Sequence, residues 1–213
     1  MLDRYKIDFK NITNNYYKMM EENIGYLSLC FGCMFSGKTS WLMQQYKKYA
    51  YIGKKICVVN YEEDKRYHET LLSTHDKQMI QCTPARLLKN IYKDLCESEV
   101  ILINEGQFFE DLYPVVIDLI ENRYKTVHIA ALDGDFKQQV FGDVLKLIPK
   151  ADDYLKLHAL CAYCRDGTNA SFSHRVSSEN EQISIGANNY VPLCRKCYQI
   201  SECSIKQSNV AHV

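Results

Sequence analysis

Neither sign of charge is in excess in this chain: 26 lysines and arginines meet 26 aspartates and glutamates over 213 residues, a formal net charge of zero. That balance removes the broad positive field expected of a protein that lives on nucleic acid, and leaves room only for local basic patches. Also missing are a positively charged start followed by an apolar h-region, and any apolar stretch of membrane-spanning length. The expected setting is therefore reducing and cytoplasmic, with no membrane and no nucleic acid among the partners. In such a compartment the ten cysteines point to metal where clustered and to small core residues where scattered. Cys30, Cys57, Cys82 and Cys96 belong to the scattered set. No internal repeat or low-complexity tract is found, and 46% hydrophobic content suits one main domain with a small appendage.

What is present is an alternation. Residues 1–24 form a polar arm without a clear period. From Tyr26, "YLSLCF" has the character of a buried strand, "TSWLMQQYKKYAYI" of a helix ended by Gly53, and "KKICVVN" of a second strand. "ARLLKNIYKDLCE" (helix), "EVILIN" (strand), "LYPVVIDLIENRY" (helix) and "TVHIAALDG" (strand) continue the series. Such alternation predicts an α/β fold: a mainly parallel sheet with helices on both faces. The pattern stops near Pro149, which places an α/β domain at residues 25–150, a second small domain at 151–200 and a tail at 201–213.

Between the first strand and its helix lies "FGCMFSGKTS", where Gly32, Gly37, Lys38 and Thr39 satisfy the spacing of a phosphate-binding P-loop. Glycines let the backbone close round phosphates, main-chain N–H groups and the helix N-terminus supply positive potential, and Lys38 reaches the β and γ phosphates. Thr39 is placed to give Mg²⁺ a hydroxyl ligand. The candidate phosphate set is Gly32, Met34, Phe35, Ser36, Gly37, Lys38, Thr39 and Ser40.

In the second domain, Cys161-x-x-Cys164 and Cys194-x-x-Cys197 form paired knuckles, with 29 residues (165 to 193) between them. Four thiolates with no open position predict a structural, zinc-ribbon-like Zn²⁺ site.

"VILINEGQFF" supplies an apolar strand ending at Asn104 and Glu105. Joined to the P-loop, this stretch resembles the type II thymidine kinase family, which places Asp-Glu-Ala/Gly-Gln-Phe-Phe here. The resemblance covers about residues 25 to 200 and implies a RecA-like P-loop fold with ATP as phosphate donor and Mg²⁺. It implies that Glu105 is the general base for the nucleoside 5′-hydroxyl and that Gln107 belongs to the nucleotide site. Asn104 departs from the family's aspartate, bringing a carbonyl oxygen but no negative charge to the ion. "DKRYHETLLSTHD" is similar to the family's Asp-x-Arg-Tyr block, which assigns Asp64 to the metal or loop and Arg66 to phosphate.

"AALDGDF" is similar to a further block of the family, and implies that Leu132 and Phe136 line the nucleoside pocket with Phe136 stacked on the pyrimidine. Met34 falls where the family packs a methionine near the base. "ISIGANNY" is similar to the family's substrate lasso, implying base contacts from Ile183, Ile185, Gly186 and Tyr190. Ala187 replaces the family's second glycine, and the spacing to Tyr190 is one residue short.

The implied activity is transfer of the ATP γ-phosphate to deoxythymidine, with deoxyuridine as a second substrate, in a homotetramer inhibited by deoxythymidine triphosphate. Two rivals stay open on the residues alone. One is a P-loop ATPase whose zinc ribbon acts on nucleic acid. The other is a degenerate relative that binds nucleotide without turnover.

Overall fold

The central strands lie side by side because their residues are buried on both faces of one sheet. The computed structural model describes residues 24–63, 71–73, 79–176, 182 and 189–210. The main sheet contains β1 (Tyr26–Gly32), β2 (Ile56–Tyr61), β5 (Thr83–Ala85), β6 (Val100–Ile103), β7 (Thr126–Ala131) and β8 (Asp153–Leu157). Their order is β5-β2-β6-β7-β1-β8, and every pairing between them is parallel. In β6, Ile101 and Ile103 enter one cluster while Val100 and Leu102 enter the other. Helix α1 (Lys38–Tyr51) covers the second face with Leu42 and Met43. Helix α2 (Tyr92–Glu97) and helix α3 (Leu112–Glu121) cover the first face, where Leu95, Leu112, Val116 and Leu119 are fully buried. The α/β architecture with helices on both faces is the one expected.

Two strands of this sheet lie outside the expected pattern. A single helix was expected over 85–97; instead Ala85 closes β5, a 3₁₀ turn covers Leu88–Ile91, and α2 follows. The Asp111 carboxylate accepts from the N–H groups of Leu88 and Lys89 at 3.0 and 2.9 Å, and so fixes that turn. β8 lies past residue 150 yet pairs with β1 along its length, from Ser28↔Asp153 to Gly32↔Leu157. It is a short edge strand, mostly exposed, and it lacks the apolar run of the central strands.

The smaller unit carries paired strands β9 (Ala159–Leu160) with β10 (Asn169–Ala170) and β11 (Phe172–Arg175) with β12 (Tyr190–Leu193), then helix α4 (Arg195–Val210). Strands β3 (Leu71–Ser73) and β4 (Met79–Gln81) form a separate ribbon. Among the described residues, no helix is long and apolar enough to cross a membrane.

One buried residue gives the fold a pH dependence. His128 on β7 is 4% exposed. It lies among Tyr26, Trp41 and Tyr49, with ring centroids at 5.8, 5.8 and 5.4 Å, and its Nε2 is 3.2 Å from the Tyr49 hydroxyl. Burial, helped by Lys48 and opposed by Asp153, pushes its pKa down from 6.5 to about 4. Above 6.5 the imidazole is neutral folded and unfolded, so it adds no slope. As pH falls toward 4 the unfolded chain takes up a proton that the folded chain refuses, and stability drops by up to about 3 kcal/mol. Thermal melts of His128→Gln should therefore fall less between pH 7 and pH 5 than those of the parent; parallel falls would overturn this.

Candidate active site

The first strand ends in a loop that only its glycines allow. A Cβ on Gly32 would stand 2.5 Å from Ser36 Oγ and 2.6 Å from the Leu157 carbonyl oxygen. Gly37, at φ 89°, takes a left-handed conformation immediately before α1. The loop folds back so that Lys38 Nζ donates to the Cys33 carbonyl at 2.8 Å. Burial pushes the Lys38 ammonium down, and Glu105, followed by Cys33, Cys30 and Asp133, pulls it up. Ser36 Oγ is buried without a hydrogen-bond partner among the described residues. A buried cation, an orphaned hydroxyl and the start of a 14-residue helix together suit an anion. Met34 is half-buried beside them, and Phe35 and Ser40 are exposed.

Opposite the loop, β6 delivers Asn104 and Glu105. Asn104 is 3% exposed: its N–H donates to the Val59 carbonyl at 2.9 Å and its side-chain amide to Asn60 Oδ1 at 2.9 Å. This turns Asn104 Oδ1 toward Thr39, whose hydroxyl lies 3.4 Å away. Two hard oxygen donors thus converge where a P-loop enzyme holds Mg²⁺, and they fit that ion. Glu105 has a positive φ of 53°. Its carboxylate accepts from Gln107 Nε2 at 2.7 Å, while Gln107 Oε1 accepts from the Leu132 N–H at 3.0 Å. Gln107, the residue expected at the nucleotide, ties Glu105 to the exit of β7. All of these groups lie at the carboxyl ends of β1, β2, β6 and β7, the crevice where open parallel sheets bind ligands.

The smaller unit closes one side. Ser173 Oγ accepts from the Met34 N–H at 2.9 Å. The Tyr198 hydroxyl donates to the Phe136 carbonyl at 2.7 Å, so α4 holds the loop that carries Phe136. Tyr190 is 9% exposed on β12, and its hydroxyl accepts from Arg175 Nε at 3.1 Å. Asp64, Arg66, Ile183, Ile185 and Gly186 lie outside the described residues. Asn60, Ser173 and Arg175 contact the candidate site residues Asn104, Met34 and Phe136, and the sequence motifs miss them. Their only signal is polarity inside a strand, and in "FSHR" the three polar residues in succession leave no apolar period.

The cysteine quartet comes together as its spacing predicts. The four Sγ atoms lie within 4.8 Å of one another, with Cys164 at 3.8 Å from Cys194 and 3.5 Å from Cys197. A disulfide would need roughly 2.05 Å. A Zn–S bond of about 2.3 Å in a tetrahedron implies S···S separations of about 3.8 Å, close to the two of 3.8 and 3.5 Å seen here. Amides of Cys194 and Cys197 donate to sulfurs at 3.3 and 3.5 Å. Burial raises the Cys161 thiol, but hydrogen bonds led by the amides of Cys164 and Cys194 outweigh it and bring the pKa to about 6. The hydrogen bond with Cys164 pushes Cys197 up to about 12. Four converging sulfurs with no open position are suited to a divalent cation that displaces thiol protons.

The chain is similar to known proteins of one family. The model of the family described as "Thymidine kinase" matches residues 25–198. The chain is 38% identical to the cytosolic thymidine kinase of Gallus gallus, covering 82% of this chain and 77% of the relative. It is 39% identical to thymidine kinase 1 of Dictyostelium discoideum over 82% of this chain and 78% of the relative. With the thymidine kinase of Yaba monkey tumor virus it shares 39% identity over 84% of this chain and 97% of the relative.

Elemental analysis of the purified chain should find one zinc per polypeptide, and a strong chelator should lower its melting temperature sharply. A structural zinc contributes on the order of 10 kcal/mol at neutral pH. Metal-free protein with the same melting temperature would contradict the site.

Proposed function

This chain belongs to the thymidine kinase family, and we propose on that premise that it moves the γ-phosphate of ATP to the 5′-hydroxyl of deoxythymidine. The observation that carries the mechanism is the Glu105 carboxylate held by Gln107 at 2.7 Å, on the side of the crevice facing the buried Lys38. Phosphoryl transfer asks mainly for positioning and charge stabilisation, with a carboxylate in reach of the attacking hydroxyl. Glu105 accepts that proton, Lys38 stabilises charge on the β and γ phosphates, and loop amides from Gly32 to Ser40 hold the chain of phosphates. Arg66 adds a planar fork of donors to the transferring group, with Asp64 organising the loop. Mg²⁺, when bound, neutralises the developing charge; Thr39 and Asn104 would hold it.

The nucleoside lies beside Phe136, Leu132, Met34 and Tyr190, with main-chain contacts from Ile183, Ile185 and Gly186. Deoxyuridine is the second substrate. Zinc on Cys161, Cys164, Cys194 and Cys197 is structural. We further propose a cytoplasmic homotetramer inhibited by deoxythymidine triphosphate, the end product of its pathway; these properties rest on the family resemblance.

With γ-labelled ATP, Mg²⁺ and deoxythymidine, the enzyme should produce labelled monophosphate, and Glu105→Gln should reduce the rate at least 100-fold, the usual lower range for a general base. Binding of both substrates without product would favour the degenerate relative. Hydrolysis of ATP stimulated by DNA or RNA would favour the nucleic-acid ATPase. Asn104→Asp restores a charge beside the ion and should lower the Mg²⁺ concentration for half-maximal rate several-fold, since the Asn60 amide can turn to donate to the new carboxylate. An unchanged Mg²⁺ titration would refute that role for residue 104.

A further inference from the structure

Strand β11 is short and polar, yet Ser173, His174 and Arg175 are only 5, 5 and 4% exposed. Alternation along the strand sorts them. Phe172 and His174 face Tyr198 of α4, with ring centroids at 5.6 and 5.8 Å. Ser173 and Arg175 point the other way, toward Met34 and Phe136. Arg175 therefore leaves the zinc-bearing unit in the direction of the candidate base pocket.

A guanidinium buried this deeply is retained only where its donors and its faces are occupied. The Arg175 Cζ lies over the Phe136 ring, 3.8 Å from its centre, and 5.0 Å from that of Tyr190. Its Nε donates to the Tyr190 hydroxyl at 3.1 Å, and a terminal nitrogen donates to that oxygen and to the Gln182 carbonyl, the latter at 3.2 Å. Gln182 in turn donates from Nε2 to Asp135 Oδ2 at 2.8 Å. Asp135 also accepts from the N–H groups of Lys137 and Gln139 at 2.9 and 2.8 Å, fixing the loop that carries Phe136. One side chain thus joins the Phe136 loop, Gln182 and β12.

We infer that Arg175 is a positioning residue for the nucleoside: it backs one face of Phe136 and holds the Tyr190 hydroxyl, setting the pocket that receives the base. This rests on the reading that the nucleoside sits beside Phe136 and Tyr190. The role needs the planar fork and the stacking face together. Lysine supplies neither, being a point charge on a flexible stem. The contacts that Arg175 makes here, to Phe136, Tyr190 and Gln182, lie on the nucleoside side of the candidate site, so the effect should fall on that substrate.

The test is steady-state kinetics of the full-length enzyme with deoxythymidine and ATP varied separately, on Arg175→Lys and Tyr190→Phe, with thermal melts alongside. For Arg175→Lys the nucleoside KM should rise about tenfold or more, the scale of one lost buried hydrogen-bonded contact, with the KM for ATP within about twofold of the parent. Tyr190→Phe keeps the ring and loses only the acceptor, so it should give a smaller rise in the same KM. An unchanged nucleoside KM in both variants overturns the inference. So does an Arg175→Lys enzyme that loses melting temperature and both KM values together while Tyr190→Phe behaves as the parent, because that is a purely structural residue. A parent enzyme that phosphorylates no nucleoside overturns the kinase reading instead, and is seen before either variant is made.

Discussion

An ammonium group cannot sit inside a protein without groups to answer its charge, and the arrangement of the site follows from how Lys38 is answered. Its Nζ is bound to the Cys33 carbonyl of its own loop, and Glu105 supplies the largest electrostatic pull across the crevice. That pairing requires β1 and β6 to end at the same level, which the parallel register through β7 secures. It also requires Glu105 to be aimed: the residue itself takes a left-handed conformation that few side chains tolerate, and Gln107 holds its carboxylate. In the proposed mechanism the triphosphate takes over part of the role that Glu105 plays for Lys38, which leaves the carboxylate to face the acceptor hydroxyl.

The central layers were legible because burial on both faces leaves a strong mark: "VILI" and "CVV" can be little else than interior strands. The P-loop and the cysteine knuckles were legible for a different reason, since their chemistry fixes spacing. The edges were not. β5 is three residues long and contains Pro84, while β8 is a charged edge strand beyond the last clear helix; each is held by pairing with a neighbour rather than by its own pattern. Ser173 and Arg175 were hidden because a strand of polar residues has no period to read, and their partners are distant in sequence. Only the fold shows that they face the site.

The cysteine-bound unit does more than append itself to the sheet. Cys33 of the phosphate loop packs in the same small core as Cys161, Cys194 and Tyr198, and its thiol donates to the Ala170 carbonyl at 3.4 Å. Met34 is bound to Ser173, and Phe136 to Tyr198. Thus the glycine-rich loop and the loop that carries Phe136 both rest on the unit that holds the cysteine quartet, through a few buried contacts.

The most direct test of this account is the position of the acceptor hydroxyl. A crystal structure with deoxythymidine and a non-hydrolysable ATP analogue should place the nucleoside 5′-oxygen within about 2.6–3.2 Å of the Glu105 carboxylate, in line with the terminal phosphate held by Lys38. A nucleoside bound with its 5′-oxygen away from Glu105, or a base seated elsewhere than beside Phe136, would contradict it.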